Sequence, residues 1–369
     1  VSGGRAHRLC PHRLARHLSG EFLAALPVAH GSPSARGRLR ATPEDFQVTE
    51  VLGFPIDGSG GHWLLTVEKR ETNSGWVAAQ LARTAGVSTR DVGFSGHKDR
   101  HAVTVQAYSV PVTAALTLDD WRAHEHPGYR VIAVDRHSRK LRPGSHRANR
   151  FLLRIRDVEG DRTAIGSCLD AIARDGVPNY FGPQRFGRQG GNLLRVKEWA
   201  VGGPAPRDRA LRGFLLSAAR SHVFNLALAA RVQHGSWNQL LPGESVLLDG
   251  RRSFFHAAEI DSVLEERCRV MDVHPSGPLA GRGTAPATAQ AAEVEQAAIA
   301  AESHLAEWLA TQGLDHERRS LRLPVREFSW SFDANDLLLD FLLPKGTFAT
   351  AVLHELLLDA WDVGEGGEE

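Results

Sequence analysis

From residue 37 onward, apolar and polar residues alternate in short runs: Phe46 and Val48, Trp63 with Leu65 and Val67, Val103 and Val105, Phe151 with Leu153 and Ile155. A period of two marks strands with one buried face. Residues 131–134 add another short strand. Between the second and third runs the spacing changes, because Val77, Leu81 and Ala85 recur at i, i+4 and i+8 behind the cap candidates Asn73 and Ser74 and ahead of Gly86. That pattern predicts a helix. A second helix is predicted over 165–174, ending near Gly176, and longer ones over 211–233 and 293–311, with a pliable stretch at 274–288. Strand character returns at 321–328 and 337–343, and 348–361 reads as a helix with Thr347 as its cap. The order implies an α+β, sheet-rich domain interrupted by an insert, with the C-terminal strands completing the first sheet.

With 369 residues, 42% of them hydrophobic and 24% charged, the chain has room for two ordinary domains. The net charge of +1 conceals 39 arginines against five lysines. Arginine suits bidentate phosphate contacts and stacking on bases, but a compositional bias of the source genome accounts for most of the excess, so only local clusters count. Cys10, Cys168 and Cys268 have no Cys-x-x-Cys spacing, which indicates neither a disulfide framework nor a cysteine zinc site and fits a reducing cytoplasm. His124 and His126 around Glu125 lack further spaced ligands, so no metal is expected. No apolar run reaches the length of a membrane span. Arg5, Arg8, Arg13 and Arg16 ahead of Phe22 faintly imitate a signal peptide, but the apolar run is short and proline-broken. Residues 1–36 are therefore read as a loosely ordered extension or an over-long start.

The candidate chemistry concentrates in residues 93–106, Gly-Phe-Ser-Gly-His-Lys-Asp-Arg-His-Ala-Val-Thr-Val-Gln, where Asp99 stands between Lys98 and Arg100 on a loop ahead of a strand. Flanking cations favour a carboxylate's charged form, which suits a nucleophile or an electrostatic group. A solvated ion-pair cluster is the competing reading of the same triplet. Arg136, Arg139, Lys140, Arg142, Arg147 and Arg150 form a run without acids that can neutralise phosphates. Residues 179–188, Asn-Tyr-Phe-Gly-Pro-Gln-Arg-Phe-Gly-Arg, interleave aromatics and arginines. Phe181 and Phe186 are read as anchors at a domain junction, and Arg185 and Arg188 as RNA contacts. The phosphate-binding Gly-x-x-x-x-Gly-Lys-Ser/Thr loop is absent and Gly93-Phe94-Ser95-Gly96 is not a serine nucleophile elbow, so nucleotide hydrolysis and serine esterase chemistry drop out.

Pro43 to Phe46, Gly93 to Gln106, Lys140 to Phe151, Gly176 to Gly187 and Gly346 to Ala351 together resemble, in order, the TruD family of tRNA pseudouridine synthases. The resemblance implies isomerisation of a uridine in tRNA, at position 13 in the D arm, without cofactor or metal. It implies Asp99 as the essential aspartate, attacking C1′ of the ribose or helping to form a glycal. Phe46 and Phe348 would pack or stack around a flipped nucleotide and Asn149 would hydrogen-bond it. Arg40, Lys98, Arg100, Lys140, Arg142, Arg185 and Arg188 are the candidate RNA contacts, Arg40 standing where family members often carry lysine. The implied architecture is a pseudouridine-synthase domain with a mixed, mainly antiparallel sheet at 37–175 and 324–361, carrying an α/β TRUD insert at 176–323, with an acidic tail at 362–369. A cleft between the two would grip tRNA, and the enzyme would be a cytoplasmic monomer without membrane contact. Two rivals remain at this point: an RNA-binding protein without chemistry, and a glycosidase in which water captures the sugar.

Overall fold

A computed structural model of the chain describes residues 26–283 and 285–358, apart from the side chain of Arg188. The N-terminal extension up to residue 25, with Cys10, lies outside the described residues, as do the acidic tail and the last residues of the helix predicted over 348–361. The chain divides into two units, one of Ser34–Ala173 with Val325–Ala349, the other of Arg174–Pro324 with 26–33 and 350–358.

The first unit runs β1 (Arg36–Arg38), β2 (Phe46–Leu52), β3 (His62–Arg70), α1 (Ser74–Ala85), β4 (Gly93–Phe94), β5 (Val103–Pro111), α2 (Leu118–Arg122), β6 (Glu125–His126), β7 (Tyr129–His137), β8 (His146–Glu159) and α3 (Arg162–Asp175). The second unit continues with β9 (Val177–Pro178), α4 (Gly191–Ala200), α5 (Arg209–Gln233), β10 (Glu244–Leu248), β11 (Phe254–Ala257), α6 (Ser262–Arg269), β12 (Val273–His274), β13 (Ser276–Leu279), α7 (Ala289–Ile299), α8 (Ser303–Thr311), β14 (Glu317–Ser320) and β15 (Arg322–Leu323). The chain then returns to the first unit with β16 (Arg326–Asp333) and β17 (Asp336–Pro344), and α9 (Ala349–Leu356) closes the described part.

Ten strands form one sheet in the order β16-β17-β8-β2-β5-β3-β7-β6, with β1 added on β8 and β4 on β5. β2 and β5 pair in parallel and the other pairs are antiparallel, so the fold is α+β with a mixed, mainly antiparallel sheet. The C-terminal hairpin of β16 and β17 joins this sheet along β8, as the alternation predicts.

The register sets what each face carries. Phe46, Val48 and Glu50 of β2 stand opposite Leu153, Phe151 and Asn149 of β8. Val48 is also level with Thr104 of β5, while Thr104, Gln106 and Tyr108 face Lys69, Val67 and Leu65 of β3. Alternation along each strand puts all of these on one face. Trp63, Leu65, Val67, Tyr108 and Val110 bury this face against Val77, Ala78, Leu81 and Ala85 of α1. The helix begins after Asn73 and ends at Gly86, whose φ of 67° is the left-handed cap that glycine accepts without strain. Toward the other edge, Trp330 of β16 lies over Gly166 of α3, where an added Cβ would stand 3.2 Å from the ring, and its indole donates to Asp170 (3.3 Å). Lys69, Thr104, Gln106, Glu50 and Asn149 fall between these two packed regions, and they are polar.

In the second unit, α5 starts on an Asp208 cap that accepts from Leu211 N (2.8 Å) and buries Leu215, Phe224 and Leu228. Asn225 on the same helix donates to Phe181 O (2.9 Å) and accepts from Phe181 N (3.0 Å), fixing the Asn-Tyr-Phe-Gly run within this unit. Phe181 and Phe186 are buried there.

Three element boundaries differ from the sequence expectation. The helix predicted over 293–311 is broken into α7 and α8 by a 3-10 turn, Ala300–Glu302, where Glu302 turns to Lys197 and to His222 (3.1 Å). The strand predicted over 321–328 is split at Pro324, which has no N–H to donate, and its first residues pair with β9 instead of the large sheet. The stretch 274–288 contains β13, paired with β14. Thr347 donates its hydroxyl to Pro344 O (2.6 Å), tying the turn before a helix that starts at Ala349.

Candidate active site

Asp99 lies on the loop between β4 and β5, over the polar part of the sheet face. Its carboxylate accepts from the Arg40 guanidinium and from His101 N (3.1 Å), and 24% of the side chain remains exposed. Arg40 adopts a left-handed φ of 54° just before the turn that leads into β2, and its guanidinium lies 4.1 Å from the centre of the Phe46 ring. Phe46 is fixed in turn. Asp45 caps the preceding turn by accepting from Thr42 N (2.9 Å) and takes a bidentate contact from Arg156 (2.7 and 2.8 Å), while the Phe46 ring meets Phe151 edge-on. Phe46 therefore carries Arg40, and Arg40 holds Asp99.

The chain neighbours of Asp99 are not its charge partners. Lys98 turns under the loop to Glu50 of β2 at 2.7 Å, and only 5% and 1% of the two side chains are exposed. Arg100 points outward and has no side-chain bond among the described residues. In place of the cations that flank Asp99 in sequence, Arg40 occupies its ionic contact from 59 positions away.

The loop backbone is tied down along its length. Gln106 donates to Gly96 O (3.1 Å), Lys98 N donates to Ser74 Oγ (3.0 Å), and Ser74 donates to Gln106 Oε1 (2.6 Å), closing a buried circuit with the start of α1. Lys69 Nζ donates to Asp99 O (2.8 Å). Burial lowers the Lys69 ammonium to about 8, with Lys98 adding to the fall and Asp99 opposing it. Ser95 shares Glu50 (3.1 Å) and Ser145 (3.0 Å), and Gly144 N donates to Ser95 O (2.6 Å). Gly93 has no room for a Cβ, which would stand 2.3 Å from Leu141 O and 2.6 Å from Ser109 Oγ. Fixed donors and charges around a carboxylate are the arrangement that electrostatic catalysis needs.

These bonds join three of the motif segments. The Asp99 loop meets the basic turn at Gly144, and Lys345, ahead of Gly346, donates to Gly144 O (2.6 Å). Arg142 and Arg147 stand exposed on that turn, and Lys140 is exposed with its ammonium on Arg90 O. Asn149 pairs with Glu50 across β2 and with Leu343 across β17, and its buried Oδ1 has no hydrogen-bond partner among the described residues. Phe348 is half-buried at the end of the turn that comes after β17. His146 at the start of β8 is held low by burial, with Lys98 adding to the effect. Arg185 belongs to the other unit, bonded to Ser217 (3.1 Å) with its guanidinium 5.4 Å from Phe181, and the side chain of Arg188 lies outside the described residues.

Sequence reasoning missed Glu50 and Lys69. The signal was present in the alternation, since Phe46, Val48, Glu50 and Leu65, Val67, Lys69 each place a charge on an otherwise buried face. Among the described residues no group of histidine, cysteine or carboxylate side chains has a metal-holding arrangement, and no helix is long and apolar enough to cross a membrane.

A mixed, mainly antiparallel α+β sheet that carries a partly exposed carboxylate on a pinned loop, held by an arginine, defines a class of α+β protein with a candidate acid site. Similarity to known proteins narrows the class. The family model for tRNA pseudouridine synthase D (TruD) matches residues 27–203 and 206–356. A tRNA pseudouridine synthase D of Nitrosococcus oceani is 48% identical over 342 residues, 92% of this chain and 96% of that protein. The one from Pseudomonas syringae pv. tomato is 44% identical over 340 residues, with the same coverage of 92% and 96%. The crystal structure of a protein from Methanosarcina mazei, described as a putative tRNA pseudouridine synthase D, shares the fold with a TM-score of 0.73 at 19% identity, covering 91% of this chain and 97% of that one. The chain belongs to the tRNA pseudouridine synthase D (TruD) family.

Proposed function

We propose that this chain is a tRNA pseudouridine synthase that isomerises one uridine, at position 13 in the D arm, with Asp99 as the catalytic residue. The observation that carries the reading is the Asp99 carboxylate, open on one side, held by an arginine that rests on Phe46, on a loop pinned by Gln106, Ser74 and Lys69. In the reaction the C1′–N1 bond breaks, the uracil turns, and C5 bonds to C1′ while N1 gains the proton that C5 gives up. Atoms and oxidation state are conserved, so the reaction consumes no oxidant, reductant or group donor, and this reading assigns it to the carboxylate without cofactor or metal. Asp99 acts at C1′ directly or through a glycal.

Chemistry at C1′ requires the nucleotide to leave its stack. Asn149, whose buried Oδ1 lacks a hydrogen-bond partner among the described residues, supplies an acceptor for the flipped uracil, and Phe348 supplies an apolar wall. Phe46 acts from beneath through Arg40. Arg100, Lys140, Arg142 and Arg147 draw the tRNA backbone toward the loop. The unit containing Asp99 serves as the catalytic domain and the intervening unit as the family's insert, in a monomer acting where tRNA is found, the cytoplasm.

The test compares wild type with Asp99→Asn on unmodified tRNA by carbodiimide-based primer extension. The variant should form no pseudouridine yet bind tRNA within about three-fold of wild type, since a carboxylate does not help to bind a polyanion. Undiminished pseudouridine would refute the assignment, and free uracil from wild type would make the protein a glycosidase. A stop that persists when uridine 13 is replaced by cytidine would refute the position.

A further inference from the structure

Lys69 is the most unusual charge in the first unit. It sits on the buried face of β3, 1% exposed, and no carboxylate lies within ion-pair distance of it among the described residues. Among the described residues its ammonium makes one hydrogen bond, to the backbone carbonyl of Asp99 at 2.8 Å. Opposite it on β5 is Thr104, whose buried hydroxyl has no hydrogen-bond partner among the described residues. Lys98 and Arg40, two other cations turned toward the loop, are matched by Glu50 and Asp99, while Arg100 is exposed. An ammonium taken out of water without a counter-ion is costly to keep. A neutral side chain would serve ordinary packing at lower cost.

We propose that Lys69 is a positioning residue for the reaction, its ammonium clamping the Asp99 peptide from below so that the carboxylate stands at a fixed height over the sheet. The proposal rests on the reading of Asp99 as the catalytic residue and deepens it. Arg40 and His101 N orient the carboxylate itself, whereas Lys69 fixes the main chain from which it projects. A charge-assisted bond is roughly twice as strong as a neutral one, so the clamp is firm while Lys69 is protonated and slackens when it is not.

This makes the clamp sensitive to pH. Burial brings Lys69 to about 8, with Asp99 opposing the fall and Lys98 adding to it. The other groups facing it do not titrate nearby: Thr104 and Gln106 on β5 are uncharged, and Tyr129, its partner on β7, has its hydroxyl pushed up by burial to about 12. Arg40 and Glu50 are engaged with Asp99 and Lys98. As pH rises through about 8 the clamp loses its charge, and turnover should fall with it.

The test measures single-turnover pseudouridine formation at saturating enzyme between pH 6.5 and 9.5 for wild type, Lys69→Met and Lys69→Arg. Wild type should lose rate on a limb centred near pH 8. Lys69→Met should be slower at pH 7 by on the order of 10²-fold, the loss that a displacement of about 1 Å produces, with KM for tRNA within about three-fold and no limb near pH 8. Lys69→Arg, charged throughout, should recover part of the rate and lack the limb. A flat wild-type profile overturns the proposal even where neither variant folds. A folded Lys69→Met with wild-type rate, or an unchanged limb in either variant, also overturns it. Complete inactivity of wild type on tRNA would instead overturn the reading on which the proposal rests.

Discussion

Replacing Glu50 by Leu should cost the first unit about 3–5 kcal/mol, the penalty for breaking a buried ion pair and leaving one charge behind. The pair qualifies because Lys98 and Glu50 are 5% and 1% exposed at 2.7 Å, so solvent cannot take over either charge. The carboxylate also accepts from Ser95 Oγ (3.1 Å) and Ala107 N (3.3 Å), and losing an acceptor for the buried amide adds to the cost, whereas Ser95 keeps Ser145 as a partner. At about 2–4 °C per kcal/mol for a domain of this size, the midpoint should fall on the order of 10 °C. The double variant Glu50→Leu/Lys98→Met removes both charges and should return to within about 2 kcal/mol of wild type, since apolar replacement of a buried pair is often neutral. Urea unfolding of the four proteins, monitored by the fluorescence of the unit's tryptophans, gives the coupling energy directly. If either single variant cost under about 1 kcal/mol, or if the double equalled the sum of the singles, Lys98 and Glu50 would not be coupled and the loop would be anchored by other contacts.

Arg40→Met removes the guanidinium on Asp99, and turnover should drop on the order of 10²-fold as a preorganised donor is lost, while Arg40→Lys, which keeps a point charge, should retain more of the rate; equal rates for the two would show that charge at this position is irrelevant. In the second unit, Glu355 accepts the N–H groups of Ala29 (2.8 Å) and His30 (3.0 Å), yet burial outweighs these bonds and pushes its carboxyl up from 4.5 to about 7. With the folded value above the unfolded one, this contribution to stability is full below about pH 4.5 and is lost as pH rises through about 7, a change of ~3 kcal/mol at most. Glu355→Gln should flatten that slope between pH 5 and 8 in urea midpoints, and an unchanged slope would assign it to other groups.

Much of this protein was legible along the chain. Alternation placed the strands at Phe46, Trp63, Val103 and Phe151, because a half-buried strand must repeat every two residues, and Asn73 and Gly86 bounded α1 through backbone geometry that is local. The ordered motifs singled out Asp99 without any coordinates. Features that depend on proline chemistry or on distant partners were less legible: the split at Pro324 sends β15 to β9, and the turn at Glu302 answers to Lys197 and His222 on other helices. The site divides in the same way. The chain order placed Lys98 and Arg100 beside Asp99, yet the fold gives the carboxylate to Arg40, gives Lys98 to Glu50, and brings Lys69 under the Asp99 peptide. Identity and spacing decide which residue is a carboxylate on a loop. Which charge faces it depends on strand register and side-chain direction, and those exist only once β2, β3 and β5 lie side by side.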